Sequence, residues 1–264
     1  MFSQLTQHIW CRPYQHKTDR PNIGWIGGRE KALLFDAGNS GANAAMLREE
    51  LMDAGLKMPD YVALSHWHWD HTFGASFWGV PVIAGRQTDA QLRKMANWRW
   101  DDASMAERIS RGEDIVFCTE MIKLEYPDRS QIRVTGADIA FDGALSLDLG
   151  GGVVCHLIHA EGPHSGDSVI CYVPCDRFVF LSDSEGKDLY GFPWEFDIHD
   201  PDSFRRATDA LPYDWDKVDA YLELLKGLDF THCINGHGDL MTREMLFEKF
   251  RKCRAQEAPE GIFP

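Results

Sequence analysis

Residues 61–75 read YVALSHWHWDHTFGA. YVALS follows Pro59 as a short apolar run of the kind that forms a buried strand, and the polar segment opens where that strand ends. Backbone alternation then decides which side chains share a face. In an extended segment, residues two apart project to the same side, so His66 and His68 can grip one ion. Adjacent residues diverge, so Asp70 and His71, where the chain turns into a helix, face a second position.

Working outward, NIGWIGG and KALLFDAG are apolar runs separated by a turn at Gly28 and Arg29, which predicts a hairpin. Asn39 or Ser40 can cap a helix over about 42–54, with Ala44, Leu47, Leu51 and Ala54 on one face and Gly55 as its stop. Strand, helix and strand at this spacing indicate a βαβ unit with a parallel pair. Functional loops in such units leave the carboxyl ends of the strands, and SHWHWDH lies at one.

A short helix is expected through HTFGASFWG and a strand at VPVIAG. From about 86 to 130 the sequence becomes charged, aromatic and helical in pattern, which reads as a helical insertion on a β scaffold. Strands return in IRVTG, ALSLDL, VVCHLIHA, SVICYVP and RFVFLSD, each bounded by Gly, Pro or Asp. Helices are expected at about 215–228 and 241–254, with the strand THCING between them. No repeat or linker divides the chain, so one domain over residues 1–264 with an α/β/β/α layering is expected. Three more candidate ligands end apolar runs: His164 in AEGPHSGDS, Asp183 in FVFLSDS and His237 in INGHGDL.

The 264 residues carry 27 Lys and Arg against 41 Asp and Glu, a net charge of −14. An acidic surface repels phosphates, which argues against nonspecific nucleic-acid or anionic-membrane binding and for a small-molecule substrate, with a homo-oligomer left open. MFSQLTQHIWCRPYQHKTDRPN has no basic segment leading into a long apolar core, so a cytoplasmic location is expected. The seven cysteines are odd in number and scattered, as reduced thiols would be. Cys171 and Cys175 alone are close, and the apolar run around them favours core packing over metal or redox chemistry.

With its ligand candidates in this order, the chain resembles the metallo-β-lactamase-fold superfamily of metal-dependent hydrolases, from FDAG with Asp36 through the INGHGD loop. The resemblance implies an α/β fold, a four-layer αββα sandwich with a dinuclear site between the sheets. It assigns His66, His68 and His164 to a first metal and Asp70, His71 and His237 to a second. Asp183 would bridge both, with Asp36 as support nearby. Zinc is the default ion, and iron or manganese suits the same donors. Two divalent ions about 3.5–4 Å apart would acidify a bridging water to hydroxide, which Asp70 would orient while ligating.

The expected reaction is hydrolysis of a small ester, thioester or lactone. A phosphodiesterase of the same fold is one alternative, motivated by the bridging aspartate; an iron-dependent oxidoreductase or a ligand-sensing protein is another. Flavodiiron relatives carry an acid where this chain has His68, and zinc β-lactamases typically place Cys or Ser at Asp183. GPHSGDS also departs from the Pro-Gly-His-Thr run common in glyoxalase II. In SEGKDLYGFPWEFD, Lys187 could hold an anionic group and Tyr190 could donate to a developing oxyanion. Trp67, Trp69, Trp98 and Trp100, with Met95 and Met105, could line an aromatic pocket or simply fill the core. His8, His16, His156, His159, His199 and His232 match no motif position; His199 lies nearest the expected mouth.

Overall fold

The expected hairpin forms as the inner part of a meander. Strands β1 (Ser3–Gln4), β2 (Ile9–Arg12), β3 (Ile23–Gly27) and β4 (Ala32–Phe35) pair antiparallel in turn. Helix α1 (Gly41–Asp53) follows, opened by Ser40, whose hydroxyl accepts from Asn43 N at 2.9 Å. Its Ala44, Leu47 and Leu51 are buried, as the spacing predicts. Strand β5 (Tyr61–Ala63) returns parallel to β4 and completes the βαβ unit. The computed structural model describes residues 1–190, 195, 197, 200 and 202–257.

Helix α2 (Trp69–Thr72) leads to β6 (Val82–Gly85), and α3 (Arg86–Met95), α4 (Asp102–Ser110) and α5 (Val116–Glu125) separate β6 from β7 (Ile139–Phe141). This gives a seven-stranded sheet ordered β1 to β7. The expected strand IRVTG does not form; pairing starts later, at β7, where the chain reaches the edge of β6. Side chains satisfy the approach instead: Asp89 Oδ1 accepts Ala137 N at 2.7 Å, and Asp138 Oδ2 accepts Val82 N at 2.9 Å.

The second sheet runs through β8 (Ala144–Asp148), β9 (Val154–His159), β10 (Val169–Val173) and β11 (Phe178–Ser182). Helices α6 (Ser203–Asp209) and α7 (Trp215–Lys226) then precede β12 (His232–Asn235), β13 (Met241–Thr242) and α8 (Arg243–Glu257). The spatial order is β13-β12-β11-β10-β9-β8, with β12 parallel to β11. The sequence gives no sign of α6, which buries no residue and so has no apolar stripe to read.

Strand alternation builds the layers. Leu33 and Phe35 face inward and meet Leu157, Cys171, Phe178 and Phe180 of the other sheet. Leu34, between them, faces outward and packs with Ala44, Leu47 and Leu51 of α1. On the far side, Val179 and Leu181 pack against Val218, Tyr221 and Leu225 of α7 and Leu246 and Phe250 of α8. Helix, sheet, sheet and helix therefore stack in that order. Among the described residues, no helix is long and apolar enough to cross a membrane.

Every cysteine is unpaired, and five are buried. Cys171 lies in the inter-sheet core as expected. Cys175 does not: the turn 174–176 carries it out of the sheet to an exposed position.

Candidate metal centre

Parallel pairing of β4 with β5, and of β11 with β12, brings the carboxyl ends of all four strands to one end of the sandwich. Asp36 follows β4, His66 and His68 follow β5, Asp183 follows β11 and His237 follows β12. Asp70 and His71 sit in α2, and His164 lies in the β9–β10 connection.

Two donor groups result. One nitrogen from each of His66, His68 and His164 forms a set whose atoms all lie within 4.8 Å of one another. Asp70, His71, Asp183 and His237 form a second set within the same limit. Asp183 Oδ2 lies 3.4 Å from His71 Nε2, 3.5 Å from His237 Nε2 and 3.7 Å from His164 Nε2, so it stands between the groups. Asp70 Oδ2 is 2.8 Å from His71 Nε2 and 3.1 Å from His237 Nε2. His68 Nδ1 and His164 Nε2 are 3.0 Å apart.

The far ring nitrogens are held from behind. His66 Nδ1 is 2.9 Å from Ser65 Oγ, His71 Nδ1 is 2.8 Å from Asp36 Oδ2, and His164 Nδ1 is 2.7 Å from the Lys187 carbonyl. Such partners fix ring orientation and turn the opposite nitrogen toward a metal. Asp36 Oδ1 also accepts Ser65 N at 2.8 Å, and the Ser182 hydroxyl donates to Asp36 Oδ2 at 3.0 Å. This buried polar floor links the two sheets.

The donors fit divalent ions. His66 Nε2 and His71 Nε2 are buried and have no hydrogen-bond partner, although His71 Nε2 lies close to two carboxylates. Buried polar nitrogens without partners are costly, and coordination satisfies them. Gly236 leaves room beside the Asp183 carboxylate, since a Cβ there would lie 1.9 Å from Asp183 Oδ1.

Electrostatics separates the groups. Burial and neighbouring imidazoles hold His66 and His68 well below the usual histidine range, which keeps the rings neutral and able to ligate. Burial acts the same way on His71, but Asp70, Asp36 and Asp183 outweigh it and carry the ring well above that range. His237 is carried to about 9, against its burial, by Asp183 and Asp19. Burial alone would raise Asp70 and Asp183, whereas the facing histidines hold both carboxyls below the usual range. The second group thus gathers carboxylates around its two imidazoles, a field that a bound cation would answer.

A cavity of about 1300 Å³ opens over both groups. Lys187 and Tyr190 line it. The Lys187 ammonium donates to the Asp209 carbonyl at 2.9 Å and lies 3.6 Å from Glu257, and the Tyr190 ring packs 5.2 Å from that of His68. The apolar lining comes from Phe117, Met121 and Leu124 of α5, with Phe204. The expected tryptophan pocket is not formed by the described residues: Trp69, Met95 and Met105 are buried in core, and Trp98 and Trp100 flank Arg108 at 4.5 and 4.7 Å. Of the unassigned histidines, His16 borders the cavity and His8 pairs with Asp176; His199 lies outside the described residues.

Several supports escape a sequence reading. Asn22 Nδ2 donates to the Asn235 and Gly238 carbonyls, each at 2.8 Å, and so pins the His237 loop. Asp167 accepts Trp67 N at 3.0 Å and the Thr88 hydroxyl at 2.8 Å. Asp19 Oδ1 lies 3.7 Å behind His237 Nδ1. Only Asp167 sits near a motif, three residues past His164; the other two are distant in sequence and carry no local signal.

A family profile described as the metallo-beta-lactamase superfamily matches residues 17–237. A metallo-beta-lactamase from Pontibacter korlensis superposes with a TM-score of 0.64 at 15% identity, covering 96% of this chain and 98% of that one. A metallo-beta-lactamase family protein from Thermus thermophilus gives 0.63 at 14% identity, over 96% of this chain and 81% of that one. The metallo-beta-lactamase FIM-1 from Pseudomonas aeruginosa, in its mono-zinc form, gives 0.57 at 16% identity, over 98% and 96%. At such identities the likeness is one of fold. No curated protein matches the sequence.

Proposed function

The chain belongs to the metallo-beta-lactamase superfamily, and from that membership we propose that it is a dinuclear metal-dependent hydrolase of a small ester, thioester or lactone. One observation carries the reading: a buried donor group and a half-buried one, with Asp183 between them, face the same large cavity. His66, His68 and His164 would hold one ion, Asp70, His71 and His237 the other, with Asp183 shared. Zinc suits this set of imidazoles and carboxylates. Bound there, the ions supply an acidified water and polarise a carbonyl oxygen.

The chain's own residues do the positioning. Asp70 is anchored between His71 and His237 and presents its carboxylate to the attacking water. Tyr190 borders the first group, its ring 5.2 Å from that of His68 and its hydroxyl 3.5 Å from Cys118 Sγ, and that hydroxyl would donate to a developing oxyanion by leaving the thiol. Lys187, at the cavity wall, receives an anionic substituent by exchanging its contact with Glu257. The partner is a small molecule, in keeping with the −14 charge that repels nucleic acid.

Metal analysis of protein purified without chelator should find at least about two ions per chain, two of them lost together when the central donors are removed. Parallel assays on p-nitrophenyl acetate and bis-p-nitrophenyl phosphate should show turnover of the carboxylic ester, and His68→Ala should abolish it. Unchanged turnover in that variant would overturn the mechanism, and exclusive phosphodiester cleavage would overturn the substrate class.

A further inference from the structure

The opposite end of the sandwich carries another donor cluster. There the turn between β1 and β2 meets the turn 174–176 between β10 and β11. Six residues, 177–182, separate Asp176 from Asp183, which at about 3.3 Å per residue places the cluster roughly 20 Å from the metal centre.

His8 Nδ1 lies 2.7 Å from Asp176 Oδ1 and 3.9 Å from Cys175 Sγ. The other carboxylate oxygen accepts His8 N at 3.0 Å and the Thr6 hydroxyl. The carboxylate is therefore locked, with Oδ1 turned toward the imidazole. One donor atom from each of His8, Cys175 and Asp176 lies within 4.8 Å of the others.

Donors at 2.0–2.3 Å from one tetrahedral zinc ion sit roughly 3.3–3.7 Å apart. The observed separations bracket that range, and the exposed Cys175 side chain is free to adjust. Thiol, imidazole and carboxylate together suit zinc or cobalt and disfavour magnesium or calcium. As thiolate and carboxylate, the two acids would neutralise a divalent charge. We propose that His8, Cys175 and Asp176 form an accessory site for a zinc-class divalent ion, with water as the fourth ligand, that ties the N-terminal strand pair of the first sheet to the β10–β11 turn of the second.

The Thr6 and His8 N–H contacts supply the outer hydrogen bonds that orient a ligating carboxylate.

Cobalt distinguishes this site from the metal centre, because the seven central candidates include no sulfur. Metal-free full-length protein titrated with cobalt(II) should develop a thiolate-to-cobalt charge-transfer band in the near ultraviolet. The band should be absent in Cys175→Ser, which should also bind about one ion fewer per chain, and weakened in His8→Ala. Cys253→Ser, at the main cavity, should retain it. A wild-type protein with no band at saturating cobalt, or a band that survives in Cys175→Ser, overturns the proposal. Loss of hydrolysis or of central occupancy in His68→Ala leaves the band unchanged, so the two readings fail separately.

Discussion

His71 Nδ1 lies 2.8 Å from Asp36 Oδ2, with both side chains buried. Asp36 reaches this position from left-handed backbone, at a φ of 67°. A non-glycine residue there is held by its surroundings, and the same carboxylate also engages Ser65 N and Ser182 Oγ. One side chain thus aims a candidate ligand of the second group and joins the strand ends of both sheets.

Asp36→Ala should weaken metal binding by about 10- to 100-fold, the usual effect of removing a ligand's outer partner. Asp36→Asn tolerates the backbone and keeps part of the network, so it should lie between the alanine variant and wild type. Competition against a chromogenic chelator measures both; wild-type affinity in Asp36→Ala refutes the role.

Gly236→Ala places a methyl 1.9 Å from Asp183 Oδ1 and 3.0 Å from His71 Cε1. The Asp183 carboxylate must move. Metal affinity should fall at least about tenfold, with a folding cost of about 1–3 kcal/mol from overpacking. Metal content and denaturant titration of the same preparation test this, and undiminished affinity would count against Asp183 as the shared ligand.

Asn22→Ala strands the Asn235 and Gly238 carbonyls and Tyr14 N, which accept from or donate to the amide side chain. A loss of about 1–3 kcal/mol in unfolding free energy is expected. Because the Asn22 contacts reach one ligand-bearing segment, the His237 loop, stepwise metal titration should show one weakened ion and one unchanged. Equal weakening of both would refute the local role.

Asp114 offers a pH test away from the metals. Burial pushes its carboxyl up to about 6, partly offset by the Ile115 N–H and Arg108. The unfolded chain releases this proton near pH 3.8, earlier than the folded chain. The proton's contribution is therefore complete at low pH and is lost as pH rises through about 6, a swing of up to about 3 kcal/mol. Asp114→Asn should gain stability relative to wild type between pH 4 and 6 in urea titrations. Parallel pH profiles would refute the assignment.

The candidate ligands were legible because short-range geometry governs them. The spacing of the heptapeptide after β5 brings His66 and His68 together and Asp70 and His71 to a second position, although the chain bends at 65–67 instead of continuing extended, and each remaining candidate ends an apolar run. Edges were harder to read. IRVTG has strand composition, yet β7 begins three residues after it because pairing depends on where β6 lies. The tryptophans of the helical region were equally ambiguous: local pattern does not distinguish a side chain that faces core from one that faces a cavity.

By itself the sequence determined the strand and helix periods, the αββα layering and the order of the candidate donors, all of which follow from residue-by-residue alternation and turn chemistry. Tertiary structure alone decided what stands behind those donors and what surrounds the cavity. Asn22 and Asp19 support candidate ligands far from them in sequence, α5 supplies the apolar wall, and the turn 174–176 carries Cys175 out of the core to His8. These relationships arise where loops from two separate sheets meet, and such contacts are fixed by long-range packing that no local period encodes.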